Sequence, residues 1–445
     1  MRLFYQALLF LLLSSQVFSE HQFIIKGSNT IGAQLAPECA KQFLRHQGIV
    51  NVSIRRGDIN NEYIVSGIDQ STPTFSSVSI KIAAHGSSTG FMGLIDRSAD
   101  LAMSSRPIKK DEQKALLSRG NMLDFESEHV IAIDGLAILV HPNNPLEQLS
   151  IEQIAQIFAG ELTHWQQLGG IDLPIEIYAR DQYSGTWDTF KKLVLKKDFQ
   201  LSRFAKRFES NNVLSDAVAN NPKAIGFTGL ASVRDAKLLA VSDQDTQAIK
   251  PNVFSVATED YPLSRRLYFY LPQDLQKHQV KAFVEFCLSQ QGQIIVDEVG
   301  FVAQRLQQQK VSVAQNAPET YQQLARLAQR LSLNFRFAFG SPNLDNKAHR
   351  DIERLTDFIR SNFTVKPYIY LVGFSDASNR FSEDLVLSRF RALAVRSALL
   401  RNGIEVETSF GLGSFMPVVN NQGKEKKKNG RVEVWLSEKP LQLGS

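Results

Sequence analysis

Between Phe23 and about Val302, short apolar runs with strand character alternate with stretches of helical periodicity, an order that restricts this region to an α/β sheet covered by helices. The runs are Phe23-Ile24-Ile25, Val78 to Ile82, Ala137 to Val140 and Ile175-Glu176-Ile177. Three connections from a strand to the next helix share one chemistry. Gly27-Ser28-Asn29-Thr30-Ile31-Gly32 follows the first run and precedes a helical pattern from Leu35 to Phe43. Gly86-Ser87-Ser88-Thr89-Gly90 follows the second run, and Arg180 to Ser184-Gly185-Thr186 follows the fourth. In open α/β sheets, junctions at the carboxyl ends of strands converge on one crevice. These are expected to meet.

What they would hold follows from the chemistry of helix ends. If Ser184 is an N-cap, the N–H groups of Gly185 and Thr186 have no intrahelical acceptor, and the macrodipole places partial positive charge beside them. Gly185 lets the backbone approach a guest closely, Ser184 and Thr186 add hydroxyls, and Arg180 offers a planar fork for two oxygens. Such a set suits an anion. Each segment alone also reads as an ordinary turn, and Arg180 with Asp181 as a surface salt bridge on a Ser-capped helix. One chemistry at three junctions favours the shared crevice.

Beyond Val302 the composition shifts. Gln304-Arg305-Leu306-Gln307-Gln308-Gln309 opens a polar stretch to Pro318, which marks a linker or linker helix over 307–330 between a first domain, 20–306, and a second, 331–440. The second domain has a strand-like alternation at Leu333 to Phe337, a helical pattern from about Asn346 to Ser361, a strand at Tyr368 to Phe374, a helix from about Ser382 to Asn402 and a strand at Val432 to Leu436. That is a compact βαβαβ module of α+β type. In its second helix Leu387, Ala394, Val395, Ala398 and Leu399 form an apolar stripe, and Arg391 falls within it. A guanidinium there needs a partner, and Asp376 is the candidate. The pair reads as a salt bridge or as a zwitterion site, with Asp376 taking an ammonium and Arg391 a carboxylate.

The remaining features narrow the class. Arg2, the apolar run Ala7 to Leu13 and small residues to Ser19 form the pattern of a signal peptide over 1–19, with the mature chain expected to begin near Glu20 or His21. That run falls short of the ~20 residues of a spanning helix and no later segment reaches that length, so an exported, soluble protein is expected. Cys39 and Cys287 are too few for a disulfide scaffold; they permit one long-range disulfide in an oxidising compartment, or two buried thiols. A net charge of +5 is weak for a nucleic-acid binder, and the run Lys424 to Lys428 reads as a solvated loop, so no nucleic-acid partner is expected. The histidines are scattered without metal-ligand spacing, and neither a metal nor a cofactor is expected. Gly86-Ser87-Ser88-Thr89-Gly90 fits the G-x-S-x-G elbow of serine hydrolases with Ser88 as nucleophile. His129, His141, His164 and His278 give it no triad context, so an enzyme is not expected.

Residues 22 to 303 resemble the substrate-binding proteins of high-affinity phosphate ABC transporters. The resemblance rests on Gly-Ser-Asn-Thr at 27–30, Gly-Ser-Ser at 86–88, Ala-Asp-Leu-Ala-Met-Ser-Ser-Arg-Pro-Ile at 99–108, Asp134-Gly135-Leu136-Ala137 before His141 to Pro145, Ile157 to Gly160 before Trp165, Arg180-x-x-x-Ser184-Gly185-Thr186, Ala224 to Phe227, and Tyr261 to Arg265. It implies a two-lobed periplasmic binding protein, a venus-flytrap that closes over one phosphate, with an ABC transporter permease as a further partner. The implied ligand shell is Thr30, the Ile31 amide, Ser87, Ser105, Arg106, Arg180, Ser184, Gly185 and Thr186. Many members carry an aspartate where Arg106 stands, which accepts a hydrogen bond from protonated phosphate and so rejects sulfate. An arginine cannot accept one. An Arg106 facing the cleft would raise anion affinity and weaken that filter, whereas one at the surface beside Pro107 would do neither. The expected ligand is phosphate or a similar oxyanion.

Residues 334 to 436 resemble the OmpA-like C-terminal domain, on Asn334-Phe335-Arg336-Phe337, Gly373-Phe374-Ser375-Asp376, Leu387-Ser388-x-x-Arg391-Ala392-x-x-Val395, Gly403-Ile404 and Asn429 to Val434. That resemblance implies non-covalent binding of peptidoglycan, with Asp376 and Arg391 on the diaminopimelate side chain. The family's usual Gly and Asn in the intervening loop are Asn379 and Asp384 here. Together the two imply a periplasmic oxyanion receptor associated with the cell wall or outer membrane. The other reading is a structural or adhesion protein of the cell envelope whose first domain keeps the fold without a ligand.

Overall fold

A computed structural model describes residues 22–443 except 72–74, 183, 338–340, 342, 379, 422 and 423. The expected signal peptide, its cleavage point and Asn379 lie outside the described residues. The apolar run at the start becomes the strand Phe23–Gly27, which is parallel to Ser76–Ala83 on one side and Leu101–Ser104 on the other. Helix Leu35–His46 buries Leu35, Ala36, Cys39, Ala40, Phe43 and Leu44 against this sheet, a face with helical spacing. A parallel arrangement brings the carboxyl ends of three adjacent strands to one edge, so Thr30, Ser87 and Ser105 emerge together.

The strand Glu128–Val140, buried from His129 onward, joins the lobes. Its first part pairs antiparallel with Ser264–Tyr270 as far as Gly135 opposite Ser264, and from Leu136 onward it pairs with Ala224–Gly229. In the second lobe Ala224–Gly229, Glu176–Arg180 and Lys206–Phe208 run parallel, which directs the end of Glu176–Arg180 to the same crevice. One sheet of 11 strands thus spans both lobes, and the chain crosses between them near Gly135 and Ser264.

Of the two readings open for Cys39 and Cys287, the structure has the buried thiols. Both are buried and free, on helices Leu35–His46 and His278–Leu288, so the permitted disulfide is not formed. Burial, and then the neighbouring Cys39, push the Cys287 thiol well above its usual range.

The C-terminal sheet has the order Gln308–Gln309, Gln329–Arg336, Arg431–Ser437, Tyr368–Phe374, Thr408–Gly411. Helices Asn346–Asn362 and Phe381–Arg401 match the expected pair to within a residue. The stretch 307–330 contains a helix, Glu319–Leu327, but does not hang free. Gln308–Gln309 forms the sheet edge, and Tyr321 packs edge-on against Trp435 at 5.6 Å, so the segment belongs to this domain's packing. The basic run also differs from the expected solvated loop. Lys424–Asn429 is a 3-10 helix, and the Lys428 ammonium donates to the carbonyls of Pro262 and Ser264 in the first domain.

Candidate functional site

The crevice forms where one helix start from each lobe meets the other. Thr30 lies in the short helix Asn29–Gly32, directly after the first strand. Across the gap Ser184 caps helix Gly185–Phe190: its backbone is extended and its Oγ accepts the Trp187 N–H at 3.4 Å. Thr30 Oγ1 donates to the Gly185 carbonyl at 3.2 Å, and a Cβ on residue 185 would stand 2.4 Å from Thr30 Cα. Only glycine permits this approach. A cleft of about 490 Å³ opens beside the contact, lined by Thr30, Asp134, Arg180, Ser184, Gly185 and Thr186 among others.

Arg180 ends its strand at the cleft wall. Nε donates to Phe208 O at 3.1 Å, Nη1 to Asn211 Oδ1 and Nη2 to Glu209 O, while Asp181 lies 3.6 Å away. Among the described residues these hydrogen bonds use Nε and one N–H of each terminal nitrogen. Burial lowers the pKa of the guanidinium, and Asp181 and Glu209 oppose that shift.

Two further residues, Asp134 and Arg265, join the site through contacts distant in sequence. Arg265 donates from Nε to Asp134 Oδ2 at 3.2 Å, and from Nη2 to Thr30 Oγ1 at 2.6 Å and to the Gly185 carbonyl at 3.4 Å. Thr189 Oγ1 also donates to Asp134 Oδ2, at 3.2 Å. Asp134 had a usable signal, as a lone carboxylate in the apolar run Val130 to Val140. Arg265 has none beyond its place in the segment Tyr261 to Arg265.

The other expected ligands separate. Ser87 begins helix Ser87–Ile95 and accepts the Ser105 N–H at 3.1 Å, with the two hydroxyls 3.4 Å apart. Ile31 is wholly buried. Arg106 is bound bidentately by Glu112 at 2.8 and 2.6 Å, and also reaches the carbonyl of Pro107 and the exposed Ser88 hydroxyl. This is close to the arrangement beside Pro107, and the Arg106 charge is compensated there. Ser105 and Arg106 line a neighbouring cavity of about 420 Å³ with Lys192, Arg265 and Arg336. Arg265 therefore stands between the two groups: it bonds Thr30 and Asp134 of the first and lines the second.

In the C-terminal domain Arg391 and Asp376 do meet, Nη2 to Oδ1, at 3.0 Å. The Phe374 and Ser341 carbonyls accept from Nη1 and Nε, and the guanidinium lies 5.2 Å from the Phe337 ring centre. Arg391 is 1% and Asp376 7% exposed, so the salt bridge exists and a zwitterion would have to open it. Burial lowers the Arg391 pKa and Asp376 opposes it. Asp384, in the place of the family's Asn, accepts the Ser378 N–H at 3.0 Å and so shapes the loop.

Two α/β lobes joined by crossing strands around a cleft of this kind define a two-lobed periplasmic binding protein fold, here followed by a second module. The chain belongs to the PBP superfamily, whose domain profile matches residues 60–291, and it carries a C-terminal OmpA family domain matched over residues 336–431. Protein SphX of Synechococcus elongatus is 30% identical over 237 residues, covering 51% of this chain and 69% of that protein. Phosphate-binding protein PstS of Borreliella burgdorferi is 28% identical over 225 residues, covering 49% and 77% respectively. The crystal structure of a possible phosphate binding protein from Planctomyces limnophilus shares the fold, with a TM-score of 0.51 at 24% identity over 64% of this chain and 93% of that one.

Proposed function

We propose that the chain captures phosphate or a related oxyanion between its lobes while its C-terminal domain holds it to peptidoglycan. The observation that carries this reading is the meeting of Thr30 and Gly185, one helix start from each lobe, with Arg180 at the cleft wall. Free N–H groups, hydroxyls and a guanidinium at one point suit an anion and no cation. The Borreliella relative, by its name a phosphate-binding protein, supports the choice of ligand. Of the residues expected from the resemblance, we assign Thr30, Arg180, Ser184, Gly185 and Thr186 to direct contact, with Ile31, Ser87, Ser105 and Arg106 supporting the lobe edge.

Asp134 would decide which oxyanion is kept. Both hydrogen bonds it accepts from Arg265 and Thr189 fall on Oδ2, so Oδ1 can accept from a protonated phosphate and would repel sulfate. With Arg106 tied to Glu112, that filter does not depend on position 106.

The OmpA family domain supports peptidoglycan as the second partner. Asp376 and Arg391 are the residues we assign to its diaminopimelate centre. Export through the segment 1–19, a periplasmic position at the wall or outer membrane, an ABC transporter permease as receiver, and the absence of an enzymatic step complete the proposal. Calorimetry on the chain from Glu20, with phosphate, arsenate and sulfate, tests it. One phosphate or arsenate per chain with sulfate rejected is expected. A chain that takes up none of them would be the structural or adhesion protein instead.

A further inference from the structure

Arg265 is a buried guanidinium with one nitrogen left over. Its Nε and Nη2 are used by Asp134, Thr30 and Gly185, but Nη1 is buried with no hydrogen-bond partner among the described residues. A buried charged donor without an acceptor is costly, and such groups need a functional reason. This one lies between the residues that line the cleft and those, Ser105 and Arg106, that line the cavity beside it.

What holds Arg265 there comes from the other domain. The stretch 258–266 runs along the C-terminal sheet. Asn334 Nδ2 donates to the Thr258 carbonyl and to Asp260 Oδ1, both at 2.8 Å, and Arg330 binds Asp260 Oδ2 at 2.7 Å. The Lys428 ammonium donates to Pro262 O at 3.2 Å and Ser264 O at 2.7 Å. Arg266 pairs with Asp345 at 2.6 Å and with Glu259 at 2.9 Å. The residues on either side of Arg265 are thus both bound by the C-terminal domain. Successive side chains of a strand point to opposite faces. Arg266 directed at Asp345 therefore turns Arg265 the other way, onto Asp134, Thr30 and Gly185 of the cleft wall. The domain is also fixed to the first lobe, where Arg350 donates to His129 Nδ1 at 2.9 Å and to the Phe125 carbonyl at 3.2 Å.

We propose that Arg265 is an anion-binding residue of the cleft, and that the C-terminal domain, through Asp345 and Lys428, positions the strand start that carries it. This rests on the oxyanion reading above and goes beyond it. The C-terminal domain is then a wall anchor and also part of the receptor. Because coupling between sites is reciprocal, anion binding favours the docked arrangement as docking favours binding.

The test uses the full mature chain, inorganic phosphate, calorimetry and thermal melting. Arg265→Lys keeps a countercharge for Asp134, but its three N–H donors radiate from one nitrogen and cannot reproduce the separate Nε, Nη2 and Nη1 positions that face Asp134, Thr30 and an anion. It should weaken phosphate binding roughly tenfold or more while the chain stays folded. Arg265→Gln should weaken it further, and if that variant does not fold the Lys variant decides alone. Asp345→Asn keeps the cap on helix Asn346–Asn362 but removes the charge opposite Arg266. Lys428→Ala removes the clamp on Pro262 and Ser264. Each of these two should weaken phosphate binding roughly fivefold, with Lys428→Arg restoring it, a rescue that loss of general stability would not produce. A folded Arg265→Lys chain with wild-type affinity overturns the ligand role. Wild-type affinity in both Asp345→Asn and Lys428→Ala overturns the positioning role. A wild-type chain that binds neither phosphate, arsenate nor sulfate refutes the oxyanion reading itself, and Arg265's role with it.

Discussion

Gly185→Ala separates lobe closure from folding, because the two respond with opposite signs. Residue 185 is the first of its helix, its N–H is unchanged by the substitution, and alanine is favoured over glycine in a helix by up to about 1 kcal/mol. Local structure therefore loses nothing. In the closed arrangement the added methyl would stand 2.4 Å from Thr30 Cα, 2.7 Å from its N and 2.9 Å from its Oγ1, where ordinary contact begins at 3.4 Å. The struck atoms include the backbone of a buried helix, which cannot rotate aside. The lobes must part by about 1 Å at this point, and overpacking of that kind costs about 1–3 kcal/mol. The cost applies to the closed state alone, so phosphate affinity should fall roughly five- to 150-fold. Titration calorimetry reads the affinity. Thermal melting without ligand should stay at or above wild type, while the rise in melting temperature produced by phosphate shrinks. Undiminished phosphate affinity in a folded Gly185→Ala chain would refute the claim that Thr30 and Gly185 close on the ligand.

Asp134→Asn keeps the shape and the bond to Arg265 but can offer an N–H where the carboxylate had only acceptors, so sulfate should gain on phosphate in competition; an unchanged preference would remove Asp134 from the selection step. His129 is held neutral by burial and then by Arg350, with its pKa lowered to about 4 from the ordinary 6.5. The unfolded chain therefore binds more protons between those values, and stability should fall by up to about 3 kcal/mol as pH drops through that window. Melting against pH should be flatter for His129→Gln, and an identical slope would refute the assignment. Arg391→Ala leaves Asp376 buried without its partner, at a cost of about 3–5 kcal/mol, so it should lose peptidoglycan pelleting and domain stability together. Asp376→Asn keeps an acceptor for Arg391 but removes its countercharge, so it should lose pelleting with a smaller loss of stability than Arg391→Ala, and a folded Asn variant that still pellets would place the wall site elsewhere.

Sequence periodicity located most elements, since strand Tyr368–Phe374 and helices Asn346–Asn362 and Phe381–Arg401 depend on local pattern. Ser184 was legible as a cap because capping involves residues three apart, and the meeting of Thr30 with Gly185 followed from where parallel strands end. The partners of Arg265 were not legible. Asp134 and Thr30 lie 131 and 235 residues away from it, and no local pattern links them. Glu112 lies only six residues from Arg106, but a spacing of six is no fixed contact in a loop that leads into a helix, so the pair carries no local signal. The stretch 307–330 is polar on average, which concealed both the edge strand Gln308–Gln309 and the buried side of Glu319–Leu327, formed by Tyr321, Leu324 and Ala325.

Strand Gln329–Arg336 has the plainest limit of this kind. Leu331, Leu333 and Phe335 alternate with Arg330, Ser332, Asn334 and Arg336, which in an antiparallel sheet ordinarily means one face on the core and one in water. Yet all of these residues are buried, and Arg431 and Glu433 on the adjacent strand Arg431–Ser437 are buried as well. Alternation reports that a strand has two chemically different faces, but not what covers the polar one. Here it is covered by residues 258–264 of the binding domain, with Asp260 set among Arg330, Arg336 and Arg431 at 2.7, 3.5 and 3.8 Å. Burial alone would raise the pKa of the Asp260 carboxyl, but the three guanidinium groups outweigh it and hold the pKa below its ordinary value. A buried charge with its partner removed is strongly destabilising, so three arginines around one aspartate bind the domains in a single register and leave them little freedom as separately tethered bodies. The polar face of that strand is therefore the surface by which the wall-binding domain grips the crossover between the lobes.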